Sequence, residues 1–349
     1  MKRMYPASLL VIALSLSACA TRPPDLAASP TPTAAQPQPS AAPFAADQTR
    51  MIPVQGGQVF VRINGRLDAD RPPVVFIHGG PGGTHHGFVQ ALPLADERAV
   101  ILYDQLDTGA SDRPGDRANW TVARFVSELE SIRSALGIER WHVVGHSWGG
   151  TLALEYAAAH PEPLASVTLA SPLISTRSWI ADTDHWRTLL PANVQRDLRA
   201  CESDKPPAQE TCEAAEGAFY QRHLARTRPG AEMMAYYMSL RDDPKARGNK
   251  AMYEAMWGPS EFTANGTLKT YDGEPLLAKL PGARTLFLAG QYDEARPETI
   301  TAFARQVPGA ELSVIPGAAH SVLGDRPEEV IATLRAFLRR HDAPADASP

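Results

Sequence analysis

Three cysteines in 349 residues, none grouped with histidines at zinc-ligand spacing, exclude a zinc-stabilised module. Basic runs are also missing. Lys and Arg number 34 against 39 Asp and Glu, for a net charge of −5, and they are scattered. Nucleic acid is therefore not an expected partner. The apolar run Leu9 to Leu16 is too short to cross a bilayer as a helix. Strand-like segments are absent between about residues 173 and 278. What is present is a 44% hydrophobic composition, ordinary for a globular protein with a large core. The length suits one domain carrying a sizeable insertion, or two small domains.

Lys2 and Arg3 precede the short apolar run, and Leu16-Ser17-Ala18-Cys19 follows it. This reads as a signal peptide over residues 1–18, and its end resembles a bacterial lipobox, in which the cysteine is lipidated after cleavage before it. Cys19 is the expected lipidation site, giving the protein a membrane anchor. Position 20 is Ala rather than Asp. By resemblance to sorted lipoproteins, that favours the outer membrane, facing the periplasm. Residues 19–47 carry Pro23, Pro24, Pro30, Pro32, Pro37, Pro39 and Pro43 and read as a linker that cannot build a core. An exported chain meets an oxidising compartment, so Cys201 and Cys212 are expected to form a disulfide across Lys205-Pro206-Pro207; two buried free thiols are the alternative.

Beyond residue 47 the pattern changes. Val59–Ile63 looks like a strand, Pro73–Ile77 and Ala99–Tyr103 are continuous apolar runs that end in glycines or polar residues, and Trp141–Val144 and Ser166–Ala170 follow. Such runs read as strands of a buried parallel sheet. Between them, Val122 to Leu136 has helical apolar spacing. The alternation stops at about 173 and resumes with Arg284–Gly290, Glu311–Ile315 and a closing helix, Glu328–Arg340. The expected architecture is a doubly wound, mostly parallel α/β domain formed by residues 48–172 and 279–341. A helical cap over 173–278 is inserted into it. Ligands of such sheets lie beyond the carboxyl ends of the strands, where a cap would roof them.

Gly145-His146-Ser147-Trp148-Gly149 matches the G-x-S-x-G turn after an apolar strand and before a helix, which points to Ser147 as a nucleophile and to the α/β-hydrolase fold. A serine hydroxyl needs a base, and in this fold the order is serine, acid, histidine. Asp293 follows one late strand and His320 follows the last. They are the expected orienting acid and proton-shuttling base. The expected oxyanion donors are the N–H groups of Trp148, next to the nucleophile, and Gly80, in the loop after the early strand. His78, His85, His86 and His146 lie near the same rim and are expected to pack loops or line the site. Trp148, Trp257 and Phe262 are either core residues or a pocket wall.

His-Gly-Gly-Pro-Gly (78–82), Tyr-Asp-Gln (103–105), Gly-His-Ser-Trp-Gly-Gly (145–150), Gly-Gln-Tyr-Asp-Glu (290–294) and Ala-His (319–320) together resemble the proline iminopeptidases, prolyl aminopeptidases of the α/β-hydrolase fold. The resemblance spans about residues 51–340. It implies release of one N-terminal residue, often proline, from short peptides with a free N-terminus, and it implies no metal or organic cofactor. It also implies that two acids hold the substrate ammonium. Glu294, after Asp293, and Glu261, in Gly258-Pro259-Ser260-Glu261-Phe262, occupy the matching positions. One departure stands out: the family usually follows Tyr-Asp-Gln with Arg-Gly, and this chain has Leu106-Asp107. The same triad would also serve an esterase, lipase or lactonase, for which the two glutamates would be idle. A catalytically dead surface-binding module is the reading from outside the enzymes.

Overall fold

The computed structural model describes residues 44–203 and 205–343. The expected signal peptide and Cys19, and the linker up to residue 43, lie outside them. Among the described residues, eight strands form one sheet: β1 (Gln48–Val54), β2 (Gly57–Asn64), β3 (Val74–Ile77), β4 (Val100–Tyr103), β5 (Trp141–His146), β6 (Leu164–Ala170), β7 (Thr285–Gly290) and β8 (Glu311–Ile315). Their order across the sheet is β1-β2-β4-β3-β5-β6-β7-β8. β1 and β2 pair antiparallel, as do β2 and β4; the remaining neighbours are parallel. β1 has no counterpart in the sequence reading. It is an edge strand, largely exposed, so it carries no apolar run to reveal it.

The central strands are buried on both faces, which explains their continuous hydrophobicity. Along β3 the side chains alternate between two cores: Val75 and Ile77 join one, Val74 and Phe76 the other. The helices α1 (Val122–Ala135) and α2 (Trp148–Ala159) cover the first face. Between β6 and β7 lie α3 (Thr176–Thr188), α4 (Ala192–Cys201), α5 (Gln209–His223), α6 (Ala231–Leu240) and α7 (Lys250–Met256). Next, α8 (Pro297–Arg305) follows β7 on the first face, and α9 (Val322–Asp325) and α10 (Pro327–Arg340) close the second.

The inserted helices have a small core of their own, built on Leu190, Leu198, Ala215, Phe219 and Phe262. Cys201, ending α4, is joined to Cys212, in α5, by a disulfide. The final residues of the expected linker are docked on the domain. Arg62 Nη2 donates to the Phe44 carbonyl at 2.7 Å, and the Asp47 carboxylate accepts the Gly65 N–H at 2.8 Å. These polar contacts are invisible to a hydrophobic pattern.

Candidate active site

The turn after β5 is dictated by space. A methyl group on Gly145 would collide with the Gly149 carbonyl, and one on Gly149 with the Ile77 carbonyl. Only glycine lets the strand, the turn and the start of α2 approach this closely. Ser147 sits at the apex with φ 57° and ψ −123°, the strained backbone of a nucleophile elbow. It immediately precedes α2, whose first N–H groups, Trp148 among them, have no intrahelical acceptor.

β3, β5, β6, β7 and β8 all point their carboxyl ends to one edge, so the residues that follow them converge. His320, after β8, places Nδ1 2.9 Å from Asp293 Oδ1. An ionised carboxylate only accepts, so Nδ1 carries the proton and Nε2 is left free to take one. Both groups are buried. Asp293 is held by further donors: the N–H of Ala295 on Oδ1, and the N–H of Gly290 and the Ser171 hydroxyl on Oδ2. The indole of Trp186, on α3, donates to the Asp293 carbonyl at 2.7 Å. The inserted helices thus touch the acid's loop directly.

Ser147, His320, Glu261 and Gly80 line one cavity of about 240 Å³, smaller than the roughly 300 Å³ at which drug-sized pockets begin. Its apolar wall is Phe88, Leu224, Val322 and Leu323. Trp148, Trp257 and Phe262 are not part of it. Trp148 meets Phe125 edge-on at 5.9 Å, Trp257 is buried in the main core, and Phe262 packs in the cap core. The Gly80 N–H, like that of Trp148, has no hydrogen-bond acceptor among the described residues.

The loops of this edge are locked together by His78 and Gln105. His78 Nε2 accepts the Gln105 N–H at 3.1 Å, and the Gln105 amide donates to the His78 carbonyl at 2.9 Å. The Trp148 indole donates to Gln105 Oε1 at 3.0 Å. Burial pushes the His78 pKa down, which suits an acceptor ring. His146 also lines the cavity; its Nε2 bonds the His320 carbonyl at 2.8 Å, and burial lowers its pKa to about 4. It is a neutral donor that fixes the backbone of the base. By contrast, His85 bonds Asp104 and His86 bonds Tyr236.

The Leu106-Asp107 departure is accommodated locally. Asp107 has φ 68°, a conformation that favours glycine, and its carboxylate accepts the Gly115 N–H and the Trp120 indole. A carboxylate from α1 braces this loop, and a guanidinium stands behind it. Arg124 pairs with Glu128, and Glu128 Oε1 accepts the Leu106 N–H at 2.9 Å.

Glu261 and Glu294 converge on the base. Glu261 accepts the Tyr253 hydroxyl at 2.8 Å, and the Trp179 indole donates to its carbonyl at 3.0 Å. Glu294 is fully buried, with Oε1 3.6 Å from His320 Nε2. Neither of its oxygens has a hydrogen-bond partner among the described residues. Burial, then the charges of Glu261 and Asp293, push its pKa well above the carboxylate range. Burial likewise raises Glu261, opposed by His320 and the Tyr253 hydroxyl. A buried acid without a partner is costly, and a cation is the ligand that would satisfy it. Ser171, Tyr253 and the indoles of Trp179 and Trp186 were not singled out in sequence, because each acts through a tertiary contact that no local pattern announces.

Comparison with known proteins agrees with this geometry. Residues 72–327 match the alpha/beta hydrolase fold family. A proline iminopeptidase of Heyndrickxia coagulans is 37% identical over 266 residues, covering 76% of this chain and 90% of that protein. One from Levilactobacillus brevis is 32% identical, covering 86% and 99%. The crystal structure of the Mycobacterium smegmatis proline iminopeptidase superposes with a TM-score of 0.75 at 31% identity, covering 84% of this chain and 99% of that one.

Proposed function

Since the chain belongs to the proline iminopeptidase family of α/β-hydrolase-fold enzymes, we propose that it is a serine aminopeptidase that releases an N-terminal residue, preferentially proline, from short peptides. The observation that carries this reading is the buried, unpartnered carboxyl of Glu294 beside His320, with Glu261 lining the same cavity.

The substrate's ammonium enters between the two acids and is held by charge-assisted hydrogen bonds. An acylated N-terminus cannot replace those bonds and leaves the acids unsatisfied, which excludes it. Ser147 attacks the carbonyl of the first residue while His320 Nε2 takes its proton. Asp293 stabilises the imidazolium through Nδ1. The N–H groups of Trp148 and Gly80 bind the developing oxyanion. His320 then protonates the leaving amine, and water repeats the cycle on the acyl-enzyme. The small cavity admits a compact first side chain.

Protein lacking residues 1–19 should cleave prolyl- and alanyl-nitroanilide and spare the N-acetylated prolyl analogue. Cleavage of a nitrophenyl ester and the acetylated analogue, with the free amines untouched, would replace this reading by an esterase. Glu261→Gln should raise KM for free-amine substrates far more than for the ester.

The lipobox-like Leu16–Cys19 segment supports the further proposal that the enzyme is exported and anchored by lipid on Cys19 to the outer membrane, facing the periplasm. Metabolic labelling with a fatty acid should mark the wild type and not Cys19→Ala. A Cys19→Ala protein that remains in the outer-membrane fraction would sink the anchor.

A further inference from the structure

Behind the catalytic edge lies a second cavity, of about 550 Å³, and its wall is basic. Arg222, Arg226 and Arg326 line it together with Gln221, Thr227 and Tyr292, and no acidic residue does among the described residues. None of the three guanidiniums lies within ion-pair distance of a carboxylate among the described residues. Elsewhere the buried Arg98 and Arg124 are both paired with acids. The nearest acid in sequence, Asp325, is turned inward: its carboxylate accepts the N–H groups of Arg226, Thr227 and Ala319.

Two of these arginines are held in place. Arg226 lies over the Tyr292 ring, 4.0 Å from its centroid, a stacking that fixes the plane of the fork. Arg326 donates to the carbonyls of Pro316 and Asp325 at 3.3 and 3.2 Å. It rests on Gly317, where any Cβ would strike its Nη2. Arg326 Nη2 and the Nε and Nη2 of Arg226 have no acceptor among the described residues. Like charges gathered on one concave wall repel one another, and an anion between them would remove that repulsion.

We propose that this cavity binds a multiply charged oxyanion, a phosphoryl or polycarboxylate group, at a site distinct from the catalytic cavity. Planar forks pair with such oxygens two bonds at a time. The two cavities share a wall. His223 and Leu224 carbonyls accept the His320 and Ser321 N–H groups at 2.9 and 2.7 Å, while Arg222 and Arg226 flank them on the far side.

The test is calorimetric titration of the full chain with sodium pyrophosphate and, separately, citrate, against sodium chloride at matched ionic strength. At least one oxyanion should bind saturably beyond the chloride control, and which of the two does so identifies the ligand chemistry. Arg226→Gln, an exposed position, should weaken that binding about tenfold or more, the loss expected for charge-assisted bonds. Arg326→Gln should do the same. Binding no stronger than chloride, or binding unchanged in both variants, overturns the proposal. So does competitive inhibition of peptide cleavage that persists in both variants, because it would put the anion in the catalytic cavity instead.

Discussion

Replacing Glu294 by Gln removes one of the two acids that separate an aminopeptidase from a general hydrolase on this fold. Both Glu294 oxygens are buried without a partner, and one lies 3.6 Å from His320 Nε2. Burial and two neighbouring acids favour its protonated form. An arriving ammonium favours the carboxylate, so binding releases a proton. Free-amine substrates should therefore bind more tightly as pH rises, until their own amine loses its proton. Gln cannot release that proton, so this pH dependence should weaken in the variant, leaving only what Glu261 contributes. A lost bond to a charged group is worth about 1.5–3 kcal/mol, or roughly 10- to 150-fold in kcat/KM for prolyl-nitroanilide. A nitrophenyl ester, which has no ammonium, should lose little. Stability should move the other way. The unsatisfied acid costs the folded state roughly 1–3 kcal/mol, so Glu294→Leu should raise Tm by several degrees, at roughly 2–4 °C per kcal/mol, while free-amine activity falls. Steady-state kinetics on both substrates and a thermal melt of each variant decide the matter. Equal losses on ester and amine, with both variants melting lower than wild type, would refute the reasoning and leave Glu294 as a structural residue.

Ser171→Ala removes one of the donors to Asp293. It should lower kcat by about 10-fold or more with KM nearly unchanged; a KM effect with kcat intact would contradict a positioning role. Asp182, on α3, accepts the Arg296 N–H and the Thr299 hydroxyl of the α8 start, and burial raises its pKa from 3.8 to about 6. The folded pKa is the higher one, so its contribution is full below about pH 4 and is lost as pH rises through about 6, a change of about 3 kcal/mol. Asp182→Asn should flatten the dependence of Tm on pH in that window; parallel slopes for the two proteins would count against it. Gly149→Ala drives a methyl group into the Ile77 carbonyl. It should cost about 1–3 kcal/mol and abolish fluorophosphonate labelling of Ser147; a labelled, stable variant would show that the elbow has more room than described.

The elbow was legible in sequence because it is local. A strand, a glycine-bounded serine and a helix occupy consecutive residues, and the glycines are forced by backbone contacts within one turn and its neighbour. Asp293 and His320 were legible for a related reason: each follows an apolar strand, and chain order fixes which strand is late. The same apolar runs do not say which strand lies beside which, since every one of them reads as a strand buried on both faces. The order β1-β2-β4-β3-β5-β6-β7-β8 is a tertiary outcome. It alone brings Ser171 from the end of β6 onto Asp293, and Arg124 and Glu128 from α1 to the loop where Leu106-Asp107 stands. The tryptophans show the limit from the other side. Composition allowed Trp148 to line the pocket, yet its indole turns into the core to reach Gln105, because a buried N–H needs an acceptor. Motif spacing thus singled out Ser147, Asp293 and His320 as candidates. Long-range packing alone decided that Glu294 has no partner, and that three arginines share a wall without an acid.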